Sequence, residues 1–144
     1  MEQVIHTIGT SNRTIEEFLD LLKKYNTDCL IDVRRFPTSK FEHFKKENLT
    51  EFIEREGIKY VYLGQILGGY RSGGYEKYMH TEAFLNGIKQ IERHAKNKKS
   101  AIMCCERLPW RCHRRFISMQ LESRGWEVVH IIDEKRIWKP RSKV

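Results

Sequence analysis

A cluster of chemically reactive side chains lies between residues 104 and 115. It contains three of the four cysteines of the chain, a glutamate, a histidine and four arginines, in the order Cys104, Cys105, Glu106, Arg107, Arg111, Cys112, His113, Arg114 and Arg115. A cysteine close to arginines and to a helix N-terminus has a lowered pKa, and its thiolate is a good nucleophile. Cys104 and Cys112 are therefore candidates to line a site or to act as nucleophile, and Glu106 and His113 are candidates to move protons.

The cysteines of this cluster allow three interpretations. In the first, Cys105 and Arg111 have the Cys-x5-Arg spacing of cysteine phosphatases, although the bulky Leu108-Pro109-Trp110 stands where such loops carry small residues. In the second, the three cysteines and His113 bind a metal; zinc ligands usually come in pairs about two to four residues apart, which this spacing lacks, so no metal site is predicted. In the third, the thiols are buried and inert, and strand alternation favours this for Cys104.

The helix predicted to start near Pro109 and to end at Gly125 begins with several cations. Arg111, Arg114 and Arg115 lie in its first two turns, where the positive end of the helix dipole costs each cation about 0.3–1 kcal/mol unless an anion offsets it. A phosphate or carboxylate bound at the helix N-terminus would supply that offset. Arg111 and Arg114 are therefore predicted to bind an anion. In the alternative interpretation, the arginines extend into solvent and pair with surface acids.

Strands and helices are predicted to alternate along the chain. Five strands are predicted, over Gln3–Gly9, Asp28–Val33, Ile58–Leu63, Ser100–Cys105 and Glu127–Ile132. Helices are indicated by a capping box that starts at Thr14, by a cap at Thr81 and by apolar residues at helical spacing, and a Gly- and Tyr-rich connection spans Gly64–His80. The alternation predicts one three-layer α/β/α domain over residues 1–132, with a mainly parallel sheet of about five strands. Residues 133–144 are predicted to form a basic tail.

Polar side chains follow several of the predicted strands. In an open parallel sheet, ligands bind in the crevice beyond the carboxyl ends of the strands. Ser11 and Asn12 follow the first strand, Asp32 and Arg34 lie at the end of the second, and the reactive cluster follows the fourth. We expect Ser11 and Asn12 to hydrogen-bond an anion and Arg34 to hold it together with the two helix arginines. Asp32 is expected to orient an arginine or a substrate hydroxyl.

The charge of the chain is unevenly distributed. Twenty-seven Lys and Arg against 19 Asp and Glu give a net charge of +8, and the excess lies in residues 73–144. Part of it is in the tail, with Lys135, Arg136, Lys139, Arg141 and Lys143. A basic surface attracts nucleic acid or nucleotide phosphates, or it serves only solubility. The chain has neither a run of about 20 apolar residues nor a signal peptide, so we expect no membrane association and a cytoplasmic location.

An ordered set of short motifs covers nearly the whole chain. It comprises Thr7-Ile8-Gly9-Thr10-Ser11-Asn12, Asp32-Val33-Arg34 with Phe36-Pro37 and Ser39, Leu67-Gly68-Gly69, Tyr78-Met79, and Cys104-x-Glu106 followed by Cys112-His113-Arg114. The set resembles the bacterial and archaeal family of domain of unknown function 488. The resemblance implies a Rossmann-like three-layer fold and the position of a site, but no reaction. The family pattern has a histidine at Thr10 and a small residue at Cys105, so the phosphatase-like use of Cys105 is weakened.

These observations leave three functional hypotheses. The preferred one is an enzyme that acts on a phosphate-bearing ligand, a nucleotide or nucleic acid, at the carboxyl ends of the strands. The second is a non-catalytic nucleic-acid-binding module, which the net charge and the basic tail favour. The third is a cysteine-dependent enzyme of sulfurtransferase or phosphatase type, since Leu30–Arg34 is also loosely similar to the early strand of rhodanese-type sulfurtransferases. The predicted partner is an anionic ligand, and no particular cofactor is indicated.

Overall fold

The computed structural model describes residues 3–140, which contain six strands and six α-helices. The strands are β1 (Gln3–Gly9), β2 (Cys29–Asp32), β3 (Lys59–Tyr62), β4 (Ser100–Cys104), β5 (Trp126–Ile131) and β6 (Ile137–Trp138). The helices are α1 (Ile15–Lys24), α2 (Lys46–Arg55), α3 (Gly64–Leu67), α4 (Tyr75–Tyr78), α5 (Glu82–Ala95) and α6 (Arg114–Ser123). Short 3-10 turns cover Glu42–Phe44 and Pro109–Arg111. No helix in residues 3–140 is long and apolar enough to cross a membrane.

The six strands form one sheet in the order β3-β2-β4-β1-β5-β6. All neighbours are parallel except β5 and β6, which are antiparallel. The prediction of a mixed α/β fold with a mainly parallel sheet is therefore confirmed, with six strands instead of about five. The additional strand pairs Ile137 with Ile131 and Trp138 with His130, and it lies within the segment predicted as a basic tail. The rest of that segment, from residue 141, lies outside the described residues.

Apolar side chains form two separate core clusters. One joins Ile5, Ile31 and Ile102 of the strands to buried residues of α5 and α6, and the other joins strand residues such as Ile8 and Leu30 to buried residues of α1 and α2. Successive strand residues point to opposite faces of a sheet, which is why Leu30 and Ile31 belong to different clusters. The division of the chain into a domain of residues 1–132 and a tail stays a prediction.

The predicted helix starts are only partly right. The Thr14 hydroxyl accepts a hydrogen bond from the Glu17 amide and the Glu17 carboxylate accepts one from the Thr14 amide, so the capping box of α1 is confirmed. The prediction of a helix from Pro109 is wrong, because the chain makes a 3-10 turn there and then extends at Cys112. Proline fits the first turn of either helix type, so it does not distinguish between them. The α-helix begins at Arg114.

The carboxyl ends of the central strands are held together by backbone hydrogen bonds. The amide of Thr10 donates to the carbonyl of Cys104 at 2.9 Å, and that of Ser11 donates to Cys105 at 2.8 Å. A β-carbon added to Gly9 would lie 1.8 Å from the carbonyl oxygen of Glu106, so only glycine permits this approach of β1 to the segment after β4. The loops that follow β1 and β4 are thereby fixed beside each other.

Candidate functional site

A cleft of about 620 Å³ opens at the carboxyl ends of β2 and β4. Six of the ten predicted site residues line it, namely Arg34, Cys104, Glu106, Arg111, Cys112 and His113. Two further arginines and five aromatic rings complete much of the wall, namely Arg35, Arg115, Phe36, Tyr70, Tyr75, Trp110 and Phe116. Glu106 is the carboxylate among the lining residues, which otherwise bring four guanidinium groups. The cleft is therefore electropositive and bordered by flat apolar surfaces.

Two free thiols lie against each other in this cleft. The Sγ atoms of Cys104 and Cys112 are 2.9 Å apart, and the backbone N–H of Arg114 donates to Cys112 Sγ at 3.3 Å. Cys104 is completely buried, and burial raises the pKa of its thiol. The hydrogen bond from Cys104 lowers the pKa of Cys112 to about 7, and the charge and N–H of Arg114 act in the same direction. Cys112 is thus the more acidic thiol of the pair, and either sulfur can donate the hydrogen that lies between them.

The position of Cys112 follows from the local fold. The residue is extended, with φ −143° and ψ 174°, and stands two residues before the first residue of α6. Its sulfur therefore lies at the positive end of a ten-residue helix, where a negative charge is stabilised. Had α6 begun at Pro109, Cys112 would have been inside the helix and its thiolate would have lacked the free N–H of Arg114.

Arg114, whose amide contacts Cys112 Sγ, is fully buried. Its guanidinium donates to Thr7 Oγ1 at 3.2 Å and to the carbonyl oxygens of Glu106 at 2.8 Å and Arg107 at 3.3 Å. Its Nε has no hydrogen-bond partner among the described residues. Its named acceptors are neutral, so the positive charge of Arg114 acts on the nearby sulfurs. Backbone carbonyl oxygens occupy the positions around the guanidinium where an anion was predicted to bind. Direct contact of Arg114 with a ligand stays a prediction.

His113 faces the cleft in a defined orientation. Its Nε2 lies 2.9 Å from the carbonyl oxygen of Val33, an acceptor, so Nε2 carries the proton and Nδ1 is free to accept one. Burial lowers the pKa of His113, which keeps the ring neutral. A β-carbon added to Gly69 would lie 3.3 Å from Nδ1, and Gly69 itself lines the cleft. A histidine with an available Nδ1 can accept a proton from a bound ligand.

Asp32 and Arg34 form a buried ion pair at the end of β2. Arg34 Nη2 lies 2.8 Å from Asp32 Oδ2, and Arg34 Nη1 donates to the carbonyl oxygen of Phe44 at 2.7 Å. The hydroxyl of Tyr60 donates to the same Asp32 oxygen at 2.5 Å. Asp32 therefore holds the side chain of Arg34 in place, and its role at a bound ligand stays a prediction. Arg34 lines the cleft, although its guanidinium is engaged with internal acceptors, and its contact with an anion stays a prediction.

The family described as "Domain of unknown function DUF488" matches residues 14–121, three quarters of the chain. The protein belongs to the DUF488 family. The resemblance noted in the sequence motifs is thus confirmed. No significant match to a curated protein or to a solved structure was found.

The DUF488 match includes most of the site. The segments that carry Asp32, Arg34 and the whole cluster from residue 104 to residue 115 fall within residues 14–121, whereas Ser11 and Asn12 precede them. Ser11 and Asn12 also lie outside the lining of the cleft. Asn12 Oδ1 accepts a hydrogen bond from Arg107 at 3.2 Å, so the pair stands at the neighbouring end of β1. Their predicted contact with an anion stays a prediction.

Several lining residues of this DUF488 protein were not among the predicted site residues. Arg35 and Phe36 lie three and four residues after the end of β2, so their position beyond a strand end was a usable signal. Tyr70 has a φ of +59°, which is unusual for a bulky residue, and its ring pairs with Phe36 at 5.9 Å. This pairing joins two loops that are distant in sequence, and no local pattern contains it. Within residues 3–140, no three His, Cys, Asp or Glu side chains group closely enough to hold a metal ion.

Proposed function

We propose that this DUF488 protein is a cysteine-dependent enzyme that binds a phosphate-bearing ligand in the cleft and attacks it with the Cys112 thiolate. One observation carries the proposal: Cys112 Sγ lies 2.9 Å from Cys104 Sγ and accepts a hydrogen bond from the Arg114 amide at the start of α6, within a cleft lined by four arginines. Thiolates held in this way are nucleophilic at neutral pH.

Each group near Cys112 has a role in the proposed reaction. Arg111 and Arg115 are exposed and line the cleft, so they are free to bind the anion, and bidentate guanidinium contacts suit phosphate oxygens. As the sulfur–phosphorus bond forms, the bond to the leaving oxygen breaks and that oxygen takes up a proton from solvent. His113 Nδ1 then accepts a proton from the water that hydrolyses the phosphocysteine. Arg114 stabilises the thiolate by its charge, and Cys104 does so by its S–H. Glu106 remains a candidate proton carrier, since its side chain is exposed at the cleft.

The substrate is expected to carry a planar ring. The exposed rings of Phe36, Tyr70 and Trp110 line the cleft beside the arginines, and aromatic side chains stack on the faces of bases. A nucleotide combines such a ring with phosphate. The chemistry at Cys112 fits attack on a phosphoryl group or on a sulfane sulfur, the two forms of cysteine enzyme considered above. The Cys105-x5-Arg111 version has less support, because Cys112 and not Cys105 precedes the helix.

The proposal extends to the architecture and the location of the protein. We propose a three-layer, Rossmann-like arrangement over residues 1–132, supported by the two apolar clusters that contain alternate residues of the same strands. A thiolate nucleophile beside a second thiol requires reducing conditions to stay free, so the proposed chemistry implies a cytoplasmic location.

A thermal-shift experiment tests the anion site. Wild-type protein is titrated with inorganic phosphate, sulfate and mononucleotides, beside an Arg111→Gln/Arg115→Gln double variant. A ligand at 100 times its Kd adds about 2.7 kcal/mol of stability. The wild type is expected to show this gain when ligand is added, and the double variant is expected not to show it. Arg93→Gln, which removes an exposed arginine of α5 outside the cleft lining, is the matched control and should respond like the wild type.

Two results would contradict the proposal. If the double variant gains as much stability as the wild type, the arginines of the cleft do not bind the anion. If only long oligonucleotides stabilise the protein, and equally so in the variant, a nucleic-acid-binding module is the better explanation, and binding should then fall steeply with salt. Arg136 is paired with Asp133 and Lys139 with Glu127 in the segment that this alternative needs.

A further inference from the structure

A second thiol, Cys104, lies beside the proposed nucleophile Cys112, although attack by a single thiolate does not require it. Cys104 is buried behind Cys112, and the distance between their Sγ atoms is 2.9 Å while both are free thiols. A disulfide bond has a length of about 2.05 Å, so the two sulfurs are about 0.9 Å from bonding distance. Both residues line the cleft, but Cys112 is partly exposed, whereas Cys104 is buried with its sulfur directed at Cys112. A ligand in the cleft can therefore reach Cys112 Sγ, and Cys104 Sγ can reach Cys112 Sγ.

We propose that Cys104 and Cys112 form a dithiol–disulfide couple that reduces small anionic disulfides in the cleft. The inference rests on the proposed function in one respect, since both need Cys112 as the nucleophile. It adds an activity, a substrate class and a role for Cys104 as the resolving thiol.

The reaction balances over two exchange steps. The Cys112 thiolate attacks one sulfur of the disulfide R–S–S–R, the S–S bond breaks, and one RS⁻ leaves and takes up a proton from solvent. Cys104 then loses its proton and attacks Cys112 Sγ, which releases the second RS⁻ and forms the Cys104–Cys112 disulfide. The substrate gains two electrons and the thiol pair loses two. A low-molecular-weight dithiol such as dithiothreitol returns them by the reverse exchange.

The surroundings of the pair favour an anionic disulfide. Arg35, Arg111 and Arg115 line the cleft, with Glu106 as the carboxylate among the lining residues, so the carboxylates of the substrate meet opposite charge. The positive charge of buried Arg114 assists both steps, because each one passes through a thiolate at the pair. Glutathione disulfide, which carries a net negative charge at neutral pH, is the probe of this class.

A consequence for the proposed function follows from the same geometry. Once Cys112 is in a disulfide with Cys104, its thiolate is no longer available to attack a phosphate-bearing ligand. The two activities therefore exclude each other in one molecule, and dithiothreitol should restore the first.

The test uses reduced full-length protein, freed from reductant and mixed with glutathione disulfide at pH 7. Products are trapped with acid and identified by intact mass and peptide mapping. The wild type is expected to form the Cys104–Cys112 disulfide with release of two glutathione molecules. Cys104→Ser should stop one step earlier and accumulate at least about tenfold more of the mixed disulfide at Cys112 than the wild type, because the resolving thiol is gone. Cys104→Ala serves as a second variant in case serine disturbs the buried position.

Cys105 provides the matched control. It is an exposed thiol next to the pair, so Cys105→Ser should behave like the wild type, whereas Cys112→Ser should leave Cys104 unmodified. The couple is overturned if the wild type keeps a mixed disulfide at Cys112 that Cys104 does not resolve, or if Cys105 is the thiol that glutathione modifies. Iodoacetamide labelling separates the two proposals. Fast labelling of Cys112 without disulfide formation overturns the couple alone, and slow labelling of Cys112 overturns both.

Discussion

Two buried arginines at the carboxyl ends of the strands have opposite electrostatic surroundings. Arg34 is paired with the Asp32 carboxylate, which also accepts a hydrogen bond from Tyr60. Arg114 is bonded to a threonine hydroxyl and two backbone carbonyls, and its Nε is left without a partner in residues 3–140. The Asp32 carboxylate neutralises the positive charge of Arg34. The positive charge of Arg114 instead acts on the sulfurs of Cys104 and Cys112. The comparison indicates that Arg34 holds the loop after β2 and that Arg114 helps to lower the pKa of Cys112.

The largest expected effect is a difference in the free energy of unfolding between variants that disrupt the surroundings of the two arginines. Asp32→Ala leaves Arg34 as a buried charge without its carboxylate, and breaking a buried pair in this way costs about 3–5 kcal/mol. Arg114→Met removes a charge without leaving a carboxylate unpaired, so its cost should be closer to that of lost neutral hydrogen bonds, about 1–3 kcal/mol. Urea unfolding of the two variants measures both. Equal losses would mean that Arg114 is as much a structural residue as Arg34.

A smaller effect concerns the reactivity of Cys112. Arg114→Met should raise the pKa of Cys112, because the Cys104 hydrogen bond and then the charge of Arg114 lower it to about 7. At pH 7 the rate of iodoacetamide labelling of Cys112 should then fall by about fivefold, because only the thiolate reacts. Arg114→Lys keeps the charge and should retain most of the rate. Arg115→Met, which changes an exposed neighbour, is the control, and a similar loss there would attribute the effect to the cleft as a whole.

The smallest effect is a pH dependence of stability at His130. Burial, and then the charge of Arg114, lowers the pKa of His130 to about 3 from the ordinary 6.5. Between these values the unfolded chain binds a proton that the folded chain does not, so the protein loses stability as the pH falls through this range. At pH 6.5 half of the unfolded chains carry the proton, and the slope is about 0.7 kcal/mol per pH unit.

His130→Gln should remove this part of the acid sensitivity, since glutamine does not titrate but keeps an acceptor for the Thr7 hydroxyl. Urea unfolding at pH 7, 6 and 5 provides the comparison. Parallel curves for the wild type and the variant would show that His130 is not held neutral by its surroundings.

The parts of the fold that follow from local patterns could be predicted from the sequence. β1 has the predicted limits, Gln3–Gly9, because its β-branched residues and terminal glycine are contiguous. The cap of α5 at Thr81 is confirmed, since Thr81 Oγ1 accepts from the Phe84 amide. α3 and α4 were not predicted within the connection at residues 64–80, because helices of four residues are too short to show a helical repeat.

The site could be located but not assembled from the sequence. Its position followed from the rule that ligands bind beyond parallel strands. The 2.9 Å approach of Cys104 to Cys112 depends on the chain turning back through a 3-10 turn, and residue types at 109–111 do not distinguish that turn from an α-helix. The burial of Arg114 could not be predicted from the sequence either, because arginine side chains are usually exposed.

The two-residue strand β6 has a consequence for the behaviour of the protein in solution. It pairs with Ile131 and His130 at one edge of the sheet, and the ring of Trp138 stacks on that of His130. Without it, β5 would be an open edge of six residues rich in valine and isoleucine, which is a template for pairing with other chains. A chain shortened to its first 132 residues would therefore be prone to self-association and aggregation. The antiparallel strand β6 therefore covers the carboxyl-terminal end of this edge of the sheet.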